Sequence, residues 1–231
     1  MRDKFNPTYL NEAGLNLQSV FDIVNLPDEM RVSLFNSVAD ISEYSQLILI
    51  GHGGKKLWQE LSKKDKQSAN PIDNFSITKV TTFLEETIKN KKYKFLYPGK
   101  TVISLQSLGS LAGWHNPSLL RIGINEKWGS WFAYRVAVLA ASNFEIKPII
   151  QKPSPCVSCI KKECISSCPA GAINEDKVEH QKCFDYRLSK NSLCKDRCLA
   201  RMSCPAASEQ RYTEEQIKYH YGLSLKALEK M

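Results

Sequence analysis

All eight cysteines of the chain fall between Cys156 and Cys204. They read C-x2-C-x4-C-x3-C-P, then a lone Cys183, then C-x3-C-x5-C-P, so both runs end in Cys-Pro, at Cys168-Pro169 and Cys204-Pro205. Thiolates grouped at such spacings can converge on soft metal centres. A cubane iron-sulfur cluster takes four of them, and ferredoxin runs place a proline after the last cysteine, which serves the other cluster. Eight thiolates would supply two clusters. Paired C-x2-C and C-x3-C knuckles would also make two tetrahedral zinc sites, although zinc gives no reason for the Cys-Pro ends. Four disulfides are the third arrangement. They belong to short secreted chains, whereas MRDKFNPTYL carries no apolar targeting segment, so a reducing cytoplasmic setting is expected.

The elements that must position these thiols begin after residue 150. The stretch EIKPIIQKPSPC has three prolines just before the first thiol, as a connector between two units would. The expected division is a domain over 1-151, a cysteine module over 152-207 and a helical tail over 208-231. The tail, RYTEEQIKYHYGLSLKALEKM, has Thr213 as a helix cap and is expected to pack on the cysteine module. His180 and His220 are read as structural or solvated. No apolar run approaches a membrane span. The formal charge of +8 suggests a polyanionic partner such as tRNA. Two oxidised clusters, each with about two negative charges, would reduce that excess to roughly +4. The basic run KNKKYK reads as a solvated loop.

Before the cysteines, PDEMRVSLFNSVADI has helical spacing, and SQLILIGHGGKKLWQEL reads as strand, glycine turn and helix. Amides of such a turn can bind an anion, but two adjacent glycines also simply permit a sharp bend. His52 beside them is read as structural. A helix is expected over 76-89 with Ser76 as N-cap, followed by a strand KYKFLYP. The next stretch reads as a short helix SLQSLGSL, a G-W-H-N-P loop and a hairpin of two strands, LLRIGIN and WFAYRVAVLAA. Strands and helices without regular alternation predict an α+β layer fold. Trp114, Trp128 and Trp131 crowd into this segment, where they could wall a flat ligand or fill a core.

The stretch LAGWHNPSLLRIGINEKWGSWFAYR, followed by CVSCIKKECISSCPAGAI and CKDRCLARMSCP, resembles the superfamily of epoxyqueuosine reductases and CblC-type cobalamin-processing proteins. The likeness is dense from Ser110 to Cys204 and thin before it. It implies a nitroreductase-like cobalamin-binding domain followed by a ferredoxin-like iron-sulfur module with two 4Fe-4S clusters. Carried over by position, it implies one cluster on Cys156, Cys159, Cys164 and Cys204, and another on Cys168, Cys183, Cys194 and Cys198. It also implies corrinoid contacts from Gly113, Trp114, His115, Trp128, Gly129, Trp131, Phe132 and Tyr134. The reductases carry a general-acid aspartate upstream of their G-W, and Tyr97 stands at that place here. A tyrosine there is either a proton donor or a strand residue, and the missing acid counts against a tRNA substrate.

The function so implied is a cobalamin-binding oxidoreductase that processes cobalamin or uses it reductively. An external flavodoxin, ferredoxin or reductase would supply electrons through the clusters. A non-enzymatic electron carrier or cobalamin-delivery protein is the alternative from another class, and a reductase acting on tRNA is the third.

Overall fold

The computed structural model describes residues 2-230. Two compact units are present. The first comprises the chain up to Ala112 together with Ala133–Ile150; the second comprises Gly113–Phe132 and the chain from Gln151 onward. The tryptophan-rich loop thus groups with the cysteines, whereas the sequence reading drew it into the first domain.

The first unit is built on a four-stranded sheet in the order β1-β2-β4-β3. Its elements run α1 (Thr8–Glu12), β1 (Leu17–Asp22), α2 (Asp28–Ser37), β2 (Gln46–Gly53), α3 (Lys56–Glu60), α4 (Lys63–Lys66), α5 (Pro71–Thr87), β3 (Tyr93–Tyr97), α6 (Leu105–Leu111) and β4 (Phe132–Ala140). β1 and β2 are antiparallel, with Leu17 opposite Gly51 and Asp22 opposite Gln46. β3 and β4 are also antiparallel, with Tyr93 opposite Ala140 and an irregularity between Phe95 and Tyr97. All eight residues of β2 are buried, which explains the unbroken LILI run: an interior strand covered on both faces has no polar side to present. Mixed helix with an antiparallel sheet agrees with the expected α+β class.

Two expectations for this unit need correction. Helix α5 begins at Pro71, not near Ser76. Proline suits the first helical turn because its missing N–H would have no partner there, and Ser76 lies inside the helix, donating its hydroxyl to the Ile72 carbonyl at 2.7 Å. The hairpin also does not form, because β4 pairs with β3 and LLRIGIN is not a strand. Ser118 Oγ donates to the Ile122 carbonyl at 2.7 Å and Arg121 takes φ +58°, so the chain turns where alternation suggested extension.

The second unit contains α7 (Glu163–Ser166), α8 (His180–Leu188), α9 (Leu199–Met202) and α10 (Glu214–Leu228). Thr213 caps α10 by accepting from the Gln216 amide, as its sequence predicts. Among the described residues no helix is long and apolar enough to cross a membrane.

Candidate metal centre

Short helices and turns carry the eight thiols. Cys156 and Cys159 lie in the turns after Pro155, Cys164 in α7, Cys168 just past its end, and Cys183 in α8. Cys194 follows in a turn, Cys198 caps the start of α9, and Cys204 lies beyond its end. α7 packs against α9, which brings the end of the first cysteine run to the end of the second. All eight are free thiols.

The thiols sort into two groups by the charges they would feel. Burial pushes the Cys164 thiol up, and Cys204, Cys156 and Cys159 push in the same direction. Burial likewise raises Cys204, with Cys156 and Cys159 adding to it. Cys183 is raised by burial and then by Cys198, Cys168 and Cys194. Cys198 is raised by burial, with Cys194 and Cys168 contributing. Two interleaved sets follow: Cys156, Cys159, Cys164 with Cys204, and Cys168, Cys183, Cys194 with Cys198.

The second set shares one cavity of about 180 Å³ with Pro169 and apolar side chains that include Leu120, Ile122 and Ile173. Three guanidinium groups, Arg187, Arg197 and Arg201, line the same space. Four soft donors around an apolar cavity with cationic walls fit a polyanionic iron-sulfur core, because the arginines offset its charge and the apolar lining limits water. Among the described residues no group of three or more Cys, His, Asp or Glu closes around a point for a single metal ion. Sequence reasoning missed the arginines, although their positions within YRL, DRC and ARMSC, beside the thiols, were a readable signal.

The residues singled out as corrinoid contacts fall in both units. Trp131 is fully buried in the second, clustered with Tyr212 and Ile217. The Arg201 guanidinium lies 4.2 Å from its ring centroid. Gly129 has φ +55°, and a Cβ there would meet the Ala206 carbonyl oxygen at 2.1 Å. Both positions pack against other parts of the same unit. Trp114 and Trp128 are buried as well, and Asn125 ties them together by donating to the Trp114 carbonyl at 2.9 Å and accepting from the Trp128 amide at 2.8 Å. Gly113, at φ +70°, begins this loop. His115 and Phe132 both approach Gly123, and burial pushes the His115 pKa down. Tyr134 belongs to the first unit, where its hydroxyl lies against Gly109 and burial pushes its pKa up.

Tyr97 ends β3 ahead of a cis peptide bond to Pro98 and lies opposite Ala137. His52 is fully buried in the same unit and accepts from Arg135 Nε at 2.9 Å.

No family model and no curated protein matches the sequence. Solved structures do match in fold. An epoxyqueuosine reductase solved with an epoxyqueuosine-modified tRNA-Tyr stem loop superposes with a TM-score of 0.52 at 12% identity, covering 91% of this chain and 66% of that one. The reductase from Streptococcus thermophilus gives 0.51 at 14% identity, covering 87% and 64%. The reductase from Bacillus subtilis gives 0.50 at 12% identity, covering 90% and 66%. The chain therefore spans at most 66% of the length of these reductases. At these identities the likeness establishes the fold, which this chain shares with epoxyqueuosine reductases over most of its length.

Proposed function

We propose that this protein is an iron-sulfur oxidoreductase with two 4Fe-4S clusters. The observation that carries the reading is the sorting of eight thiols into two sets of four, one of them around an arginine-lined cavity. Cys156, Cys159, Cys164 and Cys204 would hold one cluster; Cys168, Cys183, Cys194 and Cys198 would hold the other. When bound, the clusters supply one-electron transfer. The protein's part is to deprotonate and aim the thiols, exclude water from the second set and balance its charge. The fold likeness to reductases supports an enzyme.

A corrinoid is the second cofactor in this reading, and an external electron donor its partner. Support comes from the resemblance carried by GWH and WGSWFAYR, which implies contacts from Gly113, Trp114, His115, Trp128, Gly129, Trp131, Phe132 and Tyr134. Action on tRNA is a second reading. It is favoured by the +8 charge and by the fold neighbour solved with a tRNA stem loop, and opposed by Tyr97 at the acid's position.

Anaerobically purified protein tests the proposal. It should absorb broadly near about 400 nm, bleach with dithionite and bind cobalamin. A colourless zinc protein would end the iron-sulfur reading, and a clustered protein that ignores cobalamin would end the corrinoid arm alone. Electron transfer without turnover of any corrinoid or tRNA substrate would identify a carrier.

A further inference from the structure

Helix α8 carries Arg187 into the interior of the second unit, where only 7% of the residue is exposed. Each hydrogen bond of its guanidinium goes to a neutral oxygen. Nε donates to the Cys194 carbonyl at 3.2 Å, Nη1 to Ser224 Oγ at 3.0 Å, and Nη2 to the Tyr221 carbonyl at 3.0 Å. Arg201, half-buried, also donates only to neutral oxygens. It donates to the Ser130 carbonyl at 2.6 Å and to Ser130 Oγ at 3.3 Å, and it lies over Trp131. No carboxylate is among these partners. Arg197, on the same cavity, differs because it pairs with Asp196 at 2.8 Å and Glu214 at 3.2 Å.

A guanidinium held away from bulk water, as that of Arg187 is, needs a counter-charge, and a half-buried one such as Arg201 gains from one nearby. The cavity that Arg187 and Arg201 share holds four thiols and no acid. An oxidised 4Fe-4S core on four thiolates carries about two negative charges, which matches the two arginines of this cavity that pair with no carboxylate among the described residues. Arg187 also joins α8 to α10 through Tyr221 and Ser224, so the cation facing the thiols is the one that holds the C-terminal helix.

We propose that Arg187 and Arg201 are the built-in counter-charges of the cluster on Cys168, Cys183, Cys194 and Cys198, and that Arg187 makes docking of α10 depend on that cluster. The inference rests on the iron-sulfur reading above. Reduction adds an electron to the core, and nearby positive charge favours the reduced state, so Arg187 raises the potential of this cluster. Without the cluster, two cations face one cavity with no anion between them, and the α8 to α10 tie loosens.

The test uses the full chain, purified anaerobically, as wild type, Arg187→Met, Arg187→Lys and Arg201→Met. Iron and labile sulfide are measured first, followed by redox titration monitored by electron paramagnetic resonance and by limited proteolysis of cluster-loaded and cluster-free protein. Arg187→Met and Arg201→Met should each move one cluster to a more negative potential, or lose it, while the other keeps its signal. Arg187→Lys should keep the potential near wild type but leave α10 more easily cleaved, because an ammonium cannot span three acceptors as a planar fork does. Wild-type protein stripped of clusters should lose α10 first. Should Arg187→Met not fold, the wild-type comparison and Arg187→Lys decide. Iron-loaded Arg187→Met that titrates like wild type, or α10 protected equally with and without clusters, would overturn the inference alone. Wild-type protein without iron would overturn it together with the proposed function.

Discussion

Cys164 and Cys204 belong to one thiol group, although all four cysteines of the other group fall between them in sequence. The crossing follows from packing of α7 on α9, which sets the end of each cysteine run beside the other. Neither group can be completed by its own run.

Crossing makes a specific pattern of loss. Cys164→Ser and Cys204→Ser should remove the same cluster, and Cys168→Ser and Cys183→Ser the other, each leaving about half the iron. Iron analysis with electron paramagnetic resonance on the four variants checks this. If Cys164→Ser and Cys168→Ser removed the same cluster, the grouping would be sequential instead.

The raised thiols give the protein opposite pH responses with and without clusters. Burial, reinforced by neighbouring thiols, holds Cys164, Cys183, Cys198 and Cys204 above the ordinary value of 9.0. In the cluster-free protein that contribution to stability is fully present below the unfolded thiol value and is lost as pH rises through the raised folded values. Cluster binding instead requires the thiolates, so assembly improves as pH rises. Thermal melts between about pH 7 and pH 10 should show the cluster-free Tm falling above about pH 9 while the loaded protein holds its Tm.

Gly129→Ala separates a packing role from a ligand role. A methyl at φ +55° aimed at the Ala206 carbonyl should cost about 1–3 kcal/mol and weaken iron retention. Urea unfolding and iron content read this directly. Unchanged stability and iron, with only cobalamin affinity lost, would assign Gly129 to the ligand.

Tyr97→Phe keeps the strand and removes one hydroxyl. If Tyr97 supplies a proton, reductive turnover should fall about 10²–10⁴-fold with Tm and iron content unchanged. Turnover equal to wild type would leave Tyr97 as a residue that closes β3.

The parts of this structure legible in the sequence are those governed by local rules. Thr213 caps α10 as read, and the LILI run is the interior strand it resembles. Ser76 misled because the same hydroxyl that caps a helix can bond back within one, and Pro71 is what marks the start. LLRIGIN misled because alternation does not reveal the turn made by Ser118 and Arg121. The thiol grouping was available only by resemblance, since spacing alone does not show that α7 meets α9. Trp131 stood out by type, but its partners Arg201 and Tyr212 come from distant sequence and needed the fold.

Iron and acid-labile sulfide per chain, measured on anaerobically purified full-length protein, test the two-cluster assignment most directly. Two cubane clusters predict about eight irons and about eight sulfides per chain. Stoichiometric zinc, or a chain free of both iron and sulfide, would contradict it.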